Sequence, residues 1–249
     1  MSALMLRVIA CVAMLMDHIG YQYGIAFFRI IGRIAFPIYV YLICNGYRHT
    51  SNRLRYALRL GIFAMIAQVP FALYSYGRFV YSDWNVMVTL LLGLLCIWTA
   101  DAMLKKPILR WFSPVPALLI CALYYFGFIE SSYGSCGVIM AMVFHFADGK
   151  TIRCRFLMIA GVVLSIYHGY GIAIGLGLLK SILGIGNFVL PTVTAWSLKQ
   201  AYALLALIFI FAYNGEKGKY PQNRALAKAC QYGFYAFYPV HLLILWLIR

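Results

Sequence analysis

The sequence contains few charged residues, and acidic residues are the scarcest of them. Only 11% of the 249 residues are charged, and six are aspartate or glutamate, whereas a typical soluble domain has roughly 25% charged residues. Hydrophobic residues make up 64% of the chain, and the mean hydropathy is +0.84. Such a chain cannot cover a water-exposed surface. This excludes a soluble enzyme, a disordered protein and a disulfide scaffold, and leaves a polytopic membrane protein.

The sequence also lacks paired cysteines, and we expect no cleavable leader. The seven cysteines are an odd number without a C-x-x-C pair, so we predict neither a disulfide framework nor a metal site. Arg7 is followed by an apolar segment that has no small-residue cleavage site. We therefore expect the N-terminal segment to remain as the first membrane span.

Long apolar runs, such as residues 86–98 and 203–213, show no alternation of polar and apolar residues, which favours helical spans. We predict one all-α membrane domain over residues 1–249, with about ten transmembrane helices (nine to eleven) joined by short loops. We expect Pro37, Pro70 and Pro239 to kink their helices without ending them. The predicted spans are residues 4–22, 28–47, 57–76, 84–103, 112–129, 133–148, 156–169, 171–192, 199–213 and 230–248.

Basic residues form four short clusters between the apolar runs. The net charge is +15, but clustering beside spans is typical of cytoplasmic loops that face anionic lipid, and it does not indicate nucleic-acid binding. An even number of spans should separate clusters that share a side. Three predicted spans separate the last two clusters, so either residues 171–196 enter and leave on one side or the last cluster faces outward. The clusters are Arg48/Arg53/Arg55/Arg59, Lys105/Lys106/Arg110, Lys150/Arg153/Arg155 and Lys217/Lys219/Arg224/Lys228.

The first span carries ionisable residues where lipid is expected, and such residues are functional candidates. Arg7 and His18 are eleven residues apart, which is three helical turns plus about 20° and about 16 Å along the axis. The two side chains should therefore share one face. A histidine with a near-neutral pKa on such a face is a candidate general base.

The second span carries Arg29 and Arg33, and an apolar run follows Arg33. A guanidinium inside hydrocarbon needs a carboxylate, a carbonyl or a ligand as partner. Asp17 is the nearest acid in the sequence, and we predict an Asp17–Arg33 pair.

Three further polar residues are candidates with weaker support. Asn85 begins the fourth span and is either a ligand-binding residue or a helix cap. Tyr133 marks the turn before the sixth span. His241 lies in the middle of the last span, where a polar side chain requires a partner.

Several short motifs together resemble the TraX family, which is named for a membrane protein that acetylates the N-terminus of conjugative pilin. The similarity follows the whole chain in matching order. That family is in turn similar to the acyltransferase-3 enzymes and to lysosomal heparan glucosaminide acetyltransferase, and the spacing of Arg7 and His18 resembles an arginine–histidine pair in the acyltransferase-3 enzymes. The motifs are Met16-Asp17-His18-Ile19, Gly32-Arg33-Ile34-Ala35-Phe36-Pro37, Asn85-Val86, Tyr133-Gly134 and Phe237-Tyr238-Pro239-Val240-His241-Leu242.

The resemblance implies acyl transfer from cytoplasmic acetyl-CoA, as donor substrate, to an amine or hydroxyl acceptor in or across a bacterial inner membrane. The acceptor is a pilin N-terminus, another peptide or a glycan. For this chemistry we predict His18 as the general base, with Tyr133, Asn85 or Arg33 as the donor to the oxyanion. Asp17 and His241 complete the predicted catalytic residues, and Arg7, Arg53, Arg55, Arg59 and Asn85 are predicted to bind the acetyl-CoA. The N-terminus is expected in the cytoplasm, with membrane lipids as partners, and the oligomeric state stays open.

Two other classes of membrane protein remain open at this stage. A transporter also places charges in its core, although it usually shows internal repeats, and the sequence has none. A lipid- or ligand-binding membrane protein without catalysis does not require Arg7 and His18 on one face.

Overall fold

The computed structural model describes residues 1–80, 82–182 and 195–249. Within these ranges the chain forms helices and turns without a β-strand, which confirms the all-helical fold class. Two short 3₁₀ helices, Leu109–Phe112 and Ala201–Leu205, accompany the α-helices. The α-helices are α1 (Ala3–Gln22), α2 (Ala26–Gly32), α3 (Ala35–His49), α4 (Arg53–Tyr76), α5 (Val86–Leu104), α6 (Val115–Tyr125), α7 (Gly134–Phe146), α8 (Ile152–Ile182), α9 (Ala195–Gln200), α10 (Ala206–Phe211) and α11 (Arg224–Leu247).

Several helical segments have the length and hydropathy of membrane spans. Among the described residues, four are long and apolar enough to cross a membrane: Ala3–Gln22, Ala26–His49, Arg53–Tyr76 and Val86–Leu104. Shorter apolar segments cover Leu109–Tyr125, Gly134–Phe146 and Leu198–Phe211. The chain therefore has the helices of a membrane protein, and the count of about ten spans stays a prediction.

The predicted boundary between spans 156–169 and 171–192 is wrong, because α8 continues through residue 170 to Ile182. A glycine inside a helix costs only about 1 kcal/mol relative to alanine, so Gly169 and Gly171 are tolerated. Residues 152–182 contain no proline that would remove a backbone donor. The remainder of the predicted span, residues 183–192, lies outside the described residues.

The predicted span 28–47 is divided by a break between α2 and α3. Pro37 was expected to kink the interior of this span, but it is the third residue of α3, where a missing N–H costs no helical hydrogen bond. An unbroken helix would need an N–H from residue 37 for the carbonyl of Arg33, and proline has none. Arg33 therefore lies in the break. Pro70 and Pro239 do lie inside α4 and α11.

Helices α1 and α2 form a closely packed hairpin that depends on a residue without a side chain. A Cβ atom at Gly32 would overlap the side chain of Asp17. Small residues allow this approach in membranes, where lipid is as apolar as the helix surfaces and packing has to come from close contact. The close approach brings the Asp17 carboxylate to the break beside Arg33.

All four basic clusters lie at one end of the bundle, which we call the basic end. Asn45 near the end of α3 donates to Tyr213 at 3.1 Å, and the nearby Arg48 donates to the Phe144 carbonyl of α7 at 2.7 Å. Further contacts join the other loops: Ala3 N–H to the Glu216 carbonyl at 2.8 Å, the Arg53–Asp101 pair at 4.0 Å, and Arg155 over the Phe211 ring at 5.3 Å. The last cluster therefore lies on the same side of the bundle as the other three. This excludes the alternative in which the last cluster faces the opposite side.

Candidate active site

A cavity of about 410 Å³ follows α1 through the bundle and is lined mainly by α1, α3, α4 and α11. Arg7 lines the cavity near the basic end, and His18 lines it near the opposite end. The eleven residues between them correspond to about 16 Å of helix. The prediction that both side chains share one face is confirmed, because both residues lie in the unbroken helix α1 at this spacing.

Asp17 binds both arginines of the hairpin. Arg29 Nη1 donates to Asp17 Oδ2 at 2.7 Å, and Arg33 Nη2 donates to Oδ1 of the same carboxylate. Arg33 Nε also donates to the Arg29 carbonyl at 3.2 Å. The predicted Asp17–Arg33 pair is confirmed, and Arg29 is a second partner that the sequence analysis did not assign. One carboxylate between two guanidinium groups leaves a net positive charge, and all three side chains line the cavity.

His18 contacts His241 across the bundle. Its Nδ1 atom lies 2.9 Å from His241 Nε2, and His241 Nδ1 lies 2.7 Å from the Phe237 carbonyl. Because a carbonyl only accepts, His241 Nδ1 carries a proton, its Nε2 accepts, and His18 Nδ1 donates. The partner that His241 was expected to need is therefore His18. In this tautomer, His18 Nε2 keeps a free lone pair.

Tyrosines complete this end of the cavity. Tyr74 donates its hydroxyl to the His18 carbonyl at 2.6 Å and packs edge-on against the His18 ring. Tyr133 stacks on Phe36 with the ring centroids 3.6 Å apart. Its side chain lines the cavity and is a candidate hydrogen-bond donor. Tyr74 was missed by the sequence analysis, because nothing in its local sequence distinguishes it from the other tyrosines.

At the basic end, Arg7 is held by the loop between α10 and α11 and by α11 itself. Its guanidinium donates to the Tyr220 hydroxyl and lies over the Phe234 ring at 5.8 Å. Burial raises the pKa of Tyr220, and the positive charge of Arg7 offsets part of that rise. The Tyr220 hydroxyl therefore stays protonated at neutral pH.

Arg53, Arg55 and Arg59, which are predicted to bind the donor phosphates, lie within α4. This helix begins at Arg53, with Asn52 as its cap. Arg53 points to Asp101 and stacks over Tyr47 at 4.5 Å. Arg59 instead lies over Tyr235 at 5.4 Å, and its buried Nε–H has no hydrogen-bond partner among the described residues. Arg55 is exposed. It lies four residues before Arg59, so the two arginines share one face of α4.

Asn85 is fully buried and caps α5. Its Oδ1 accepts from the Met87 N–H at 3.0 Å, while Nδ2 donates to the Ala64 carbonyl and to Gln68 Oε1. Of the two readings left open for Asn85, the structure shows the helix cap. Asn85 does not line the cavity.

A second cavity of about 820 Å³ adjoins the first at the end opposite the basic clusters. Tyr76, Asp83, Ser132 and Tyr133 line both cavities. The Trp84 N–H donates to the Glu130 carbonyl at 3.0 Å, so the loop before α5 is tied to the loop before α7 at the shared wall.

The buried ion cluster, the cavity and the apolar helices define a membrane protein with a polar site inside its helical bundle. The family model described as TraX protein matches residues 2–249, and the chain belongs to the TraX family. It is also similar to the probable fimbrial assembly protein FimC, serogroup H1, of Dichelobacter nodosus, with 27% identity over 261 aligned residues that cover 98% of this chain and 94% of that protein. No solved structure matches the chain.

Proposed function

We propose that this chain is an integral membrane acyltransferase that moves an acetyl group from acetyl-CoA to an amine or hydroxyl acceptor. The observation that carries the proposal is the single cavity that joins Arg7 to His18. Membership of the TraX family supports a transferase that modifies a protein acceptor. The similarity to a probable fimbrial assembly protein favours a fimbrial or pilin subunit as that acceptor over a glycan.

His18 is the general base in this proposal. Its Nδ1–H is committed to His241, so its Nε2 lone pair is free to take the acceptor proton. The acceptor nitrogen or oxygen then attacks the thioester carbonyl, the carbon–sulfur bond breaks, and CoA leaves as the thiolate. His241 does not touch the substrates. It is a positioning residue that fixes the His18 tautomer through the Phe237 carbonyl.

The tetrahedral intermediate of this reaction carries a negative oxygen that needs donors or positive charge. Arg33 and Tyr133 both line the cavity and are the candidates. Asp17 is a positioning residue in this scheme, because it holds Arg29 and Arg33 at the break between α2 and α3 while leaving the cluster net positive.

The donor enters from the basic end, where cations meet its phosphates. Arg7 lines the cavity, and Arg59 contacts Tyr56 and Tyr235, which line it as well. Arg55 extends the same face into solvent. We assign Arg7, Arg55 and Arg59 to the phosphates, since guanidinium groups bind phosphate through paired donors. Arg53 contacts Asp101 and Tyr47, neither of which lines the cavity, and Asn85 is occupied as a cap, so we leave both out of this donor site.

The positive-inside rule places the basic end in the cytoplasm. The N-terminus is then cytoplasmic, and the acceptor approaches from the opposite side of the bacterial inner membrane. Residues 1–249 act as one membrane domain of about nine to eleven spans in this proposal.

The test is release of free CoA by the purified full-length chain in detergent, supplied with acetyl-CoA and a synthetic peptide that has a free N-terminus. His18→Ala should bind acetyl-CoA yet lose on the order of 10²–10⁴-fold in acyl transfer. The matched control is His49→Ala, which changes an exposed histidine at the end of α3. Turnover by His18→Ala at the wild-type rate would overturn the assignment.

A further inference from the structure

A serine and a histidine meet in the second cavity, apart from the His18 site. Ser135 is the second residue of α7, and His168 lies on α8. Ser135 Oγ lies 2.6 Å from His168 Nε2. Both residues are half-buried and line the cavity of about 820 Å³, so a small molecule has access to them.

The hydrogen bonds around His168 determine which atom acts as the base. His168 Nδ1 lies 2.8 Å from the Ser165 carbonyl, and a carbonyl can only accept. Nδ1 therefore carries the proton, Nε2 keeps its lone pair, and the Ser135 hydroxyl donates to Nε2. A serine bonded to a histidine that a third group orients is the arrangement of an activated nucleophile.

The start of α7 supplies the donors that such a nucleophile needs. The first N–H groups of a helix have no acceptor within their own helix. Tyr133, the residue before α7, makes no side-chain cap. The N–H groups of Ser135 and Cys136 therefore lie in the uncapped first turn beside Ser135 Oγ, where they can stabilise a negative oxygen on an attacked carbonyl.

The charges of the second cavity indicate the class of substrate. Asp83 and Glu130 line it, and its described lining residues include no lysine or arginine. Carboxylates repel a polyanion such as acyl-CoA and accept a neutral or cationic molecule. The ligand chemistry is therefore that of an uncharged or cationic carboxylic ester.

We propose that Ser135, activated by His168, is a second nucleophile of this chain that takes an acyl group from such an ester. Ser135 Oγ attacks the carbonyl carbon while its proton passes to His168 Nε2. The bond from the carbonyl carbon to the leaving oxygen then breaks, and His168 returns the proton to that oxygen. The products are acyl-Ser135 and a free alcohol, and water can release the acyl group by the same route. This site does not rest on the role of His18.

The test uses the purified full-length chain in detergent with p-nitrophenyl acetate as the neutral ester. We expect a burst of nitrophenol and an acetyl group on the peptide that contains Ser135, identified by mass spectrometry. Ser135→Ala should remove this label, and His168→Gln should slow acylation by on the order of 10²-fold. The matched control is Ser51→Ala, which removes an exposed serine hydroxyl that lines neither cavity. It should be acylated at Ser135 like wild type.

The labelled residue is read in the wild-type chain, so the result does not depend on whether a variant folds. Absence of acetyl from Ser135 in folded wild-type protein would overturn the proposal. Acylation of Ser135 at an unchanged rate in His168→Gln would also overturn it, because the contact would then be only a hydrogen bond between α7 and α8.

Discussion

The bundle holds two aspartates that contact basic side chains, one at each end, and only one of the two borders the cavity. Asp17 binds Arg29 and Arg33 beside His18, with side-chain exposures of 14%, 29% and 7%. Asp101 accepts from Tyr47 at 2.9 Å, contacts His145 at 2.8 Å and lies 4.0 Å from Arg53, which is 34% exposed. Asp101 lines neither cavity.

The two clusters differ in what their partners can do without the carboxylate. Arg33 is nearly inaccessible and lies in a helix break inside the bundle, so its guanidinium cannot turn outward into bulk solvent. Arg53 is one-third exposed and can turn outward into solvent. The Asp17 cluster therefore borders the cavity, where its positive charge is available to a ligand. The Asp101 cluster instead connects α3, α4, α5 and α7 at the basic end.

The largest effect should come from Asp17→Asn, which keeps the shape of the side chain and removes its charge. Two guanidinium groups then lose their counter-ion, and breaking a buried pair costs about 3–5 kcal/mol. We expect a large drop in the free energy of unfolding in detergent, together with loss of acyl transfer. Adding Arg33→Gln should restore part of the stability. An Asp17→Asn chain as stable as wild type would show that Arg33 has another partner.

His241→Ala tests the site without touching its charges. Loss of the acceptor at Nε2 frees the His18 tautomer, and we expect acyl transfer to fall by on the order of 10²-fold. His241→Gln keeps an acceptor oxygen at this position and should recover most of the rate. The pH–rate profile should shift in His241→Ala and return in His241→Gln. Equal rates in both variants would assign His241 to packing alone.

Asp101→Asn should have the smallest effect. Its partners reach water or keep a neutral hydrogen bond, so we expect a loss of about 1–2 kcal/mol in unfolding free energy. Acyl transfer should stay near the wild-type rate. A strong loss of activity in a folded Asp101→Asn chain would contradict the contrast between the two clusters.

Some of this arrangement follows from the sequence because membranes penalise unpaired charge. Asp17 and Arg33 had to meet because neither can remain alone in hydrocarbon, and Arg7 and His18 had to share a face by helical spacing. The contact between His18 and His241 joins residues 223 positions apart, which no local pattern encodes.

Other features required the structure, although local rules explain them afterwards. The break at Arg33 follows from Pro37, but prolines are tolerated inside membrane helices, as Pro70 is in α4. Because Asn52 caps α4, the helix begins at Arg53 and includes Arg55. Two helical positions correspond to a rotation of about 200°, so these two arginines point to opposite faces. The meeting of Ser135 and His168 depends on how α7 packs on α8.

The central claim is that a donor entering at the basic end reaches His18, and the sidedness of acetyl-CoA consumption tests it most directly. Radiolabelled acetyl-CoA would be added outside sealed inside-out and right-side-out vesicles that contain the wild-type or the His18→Ala chain. We expect His18-dependent transfer of label to membrane protein only in inside-out vesicles, where the cytoplasmic face is exposed. His18-dependent transfer only in right-side-out vesicles would contradict it.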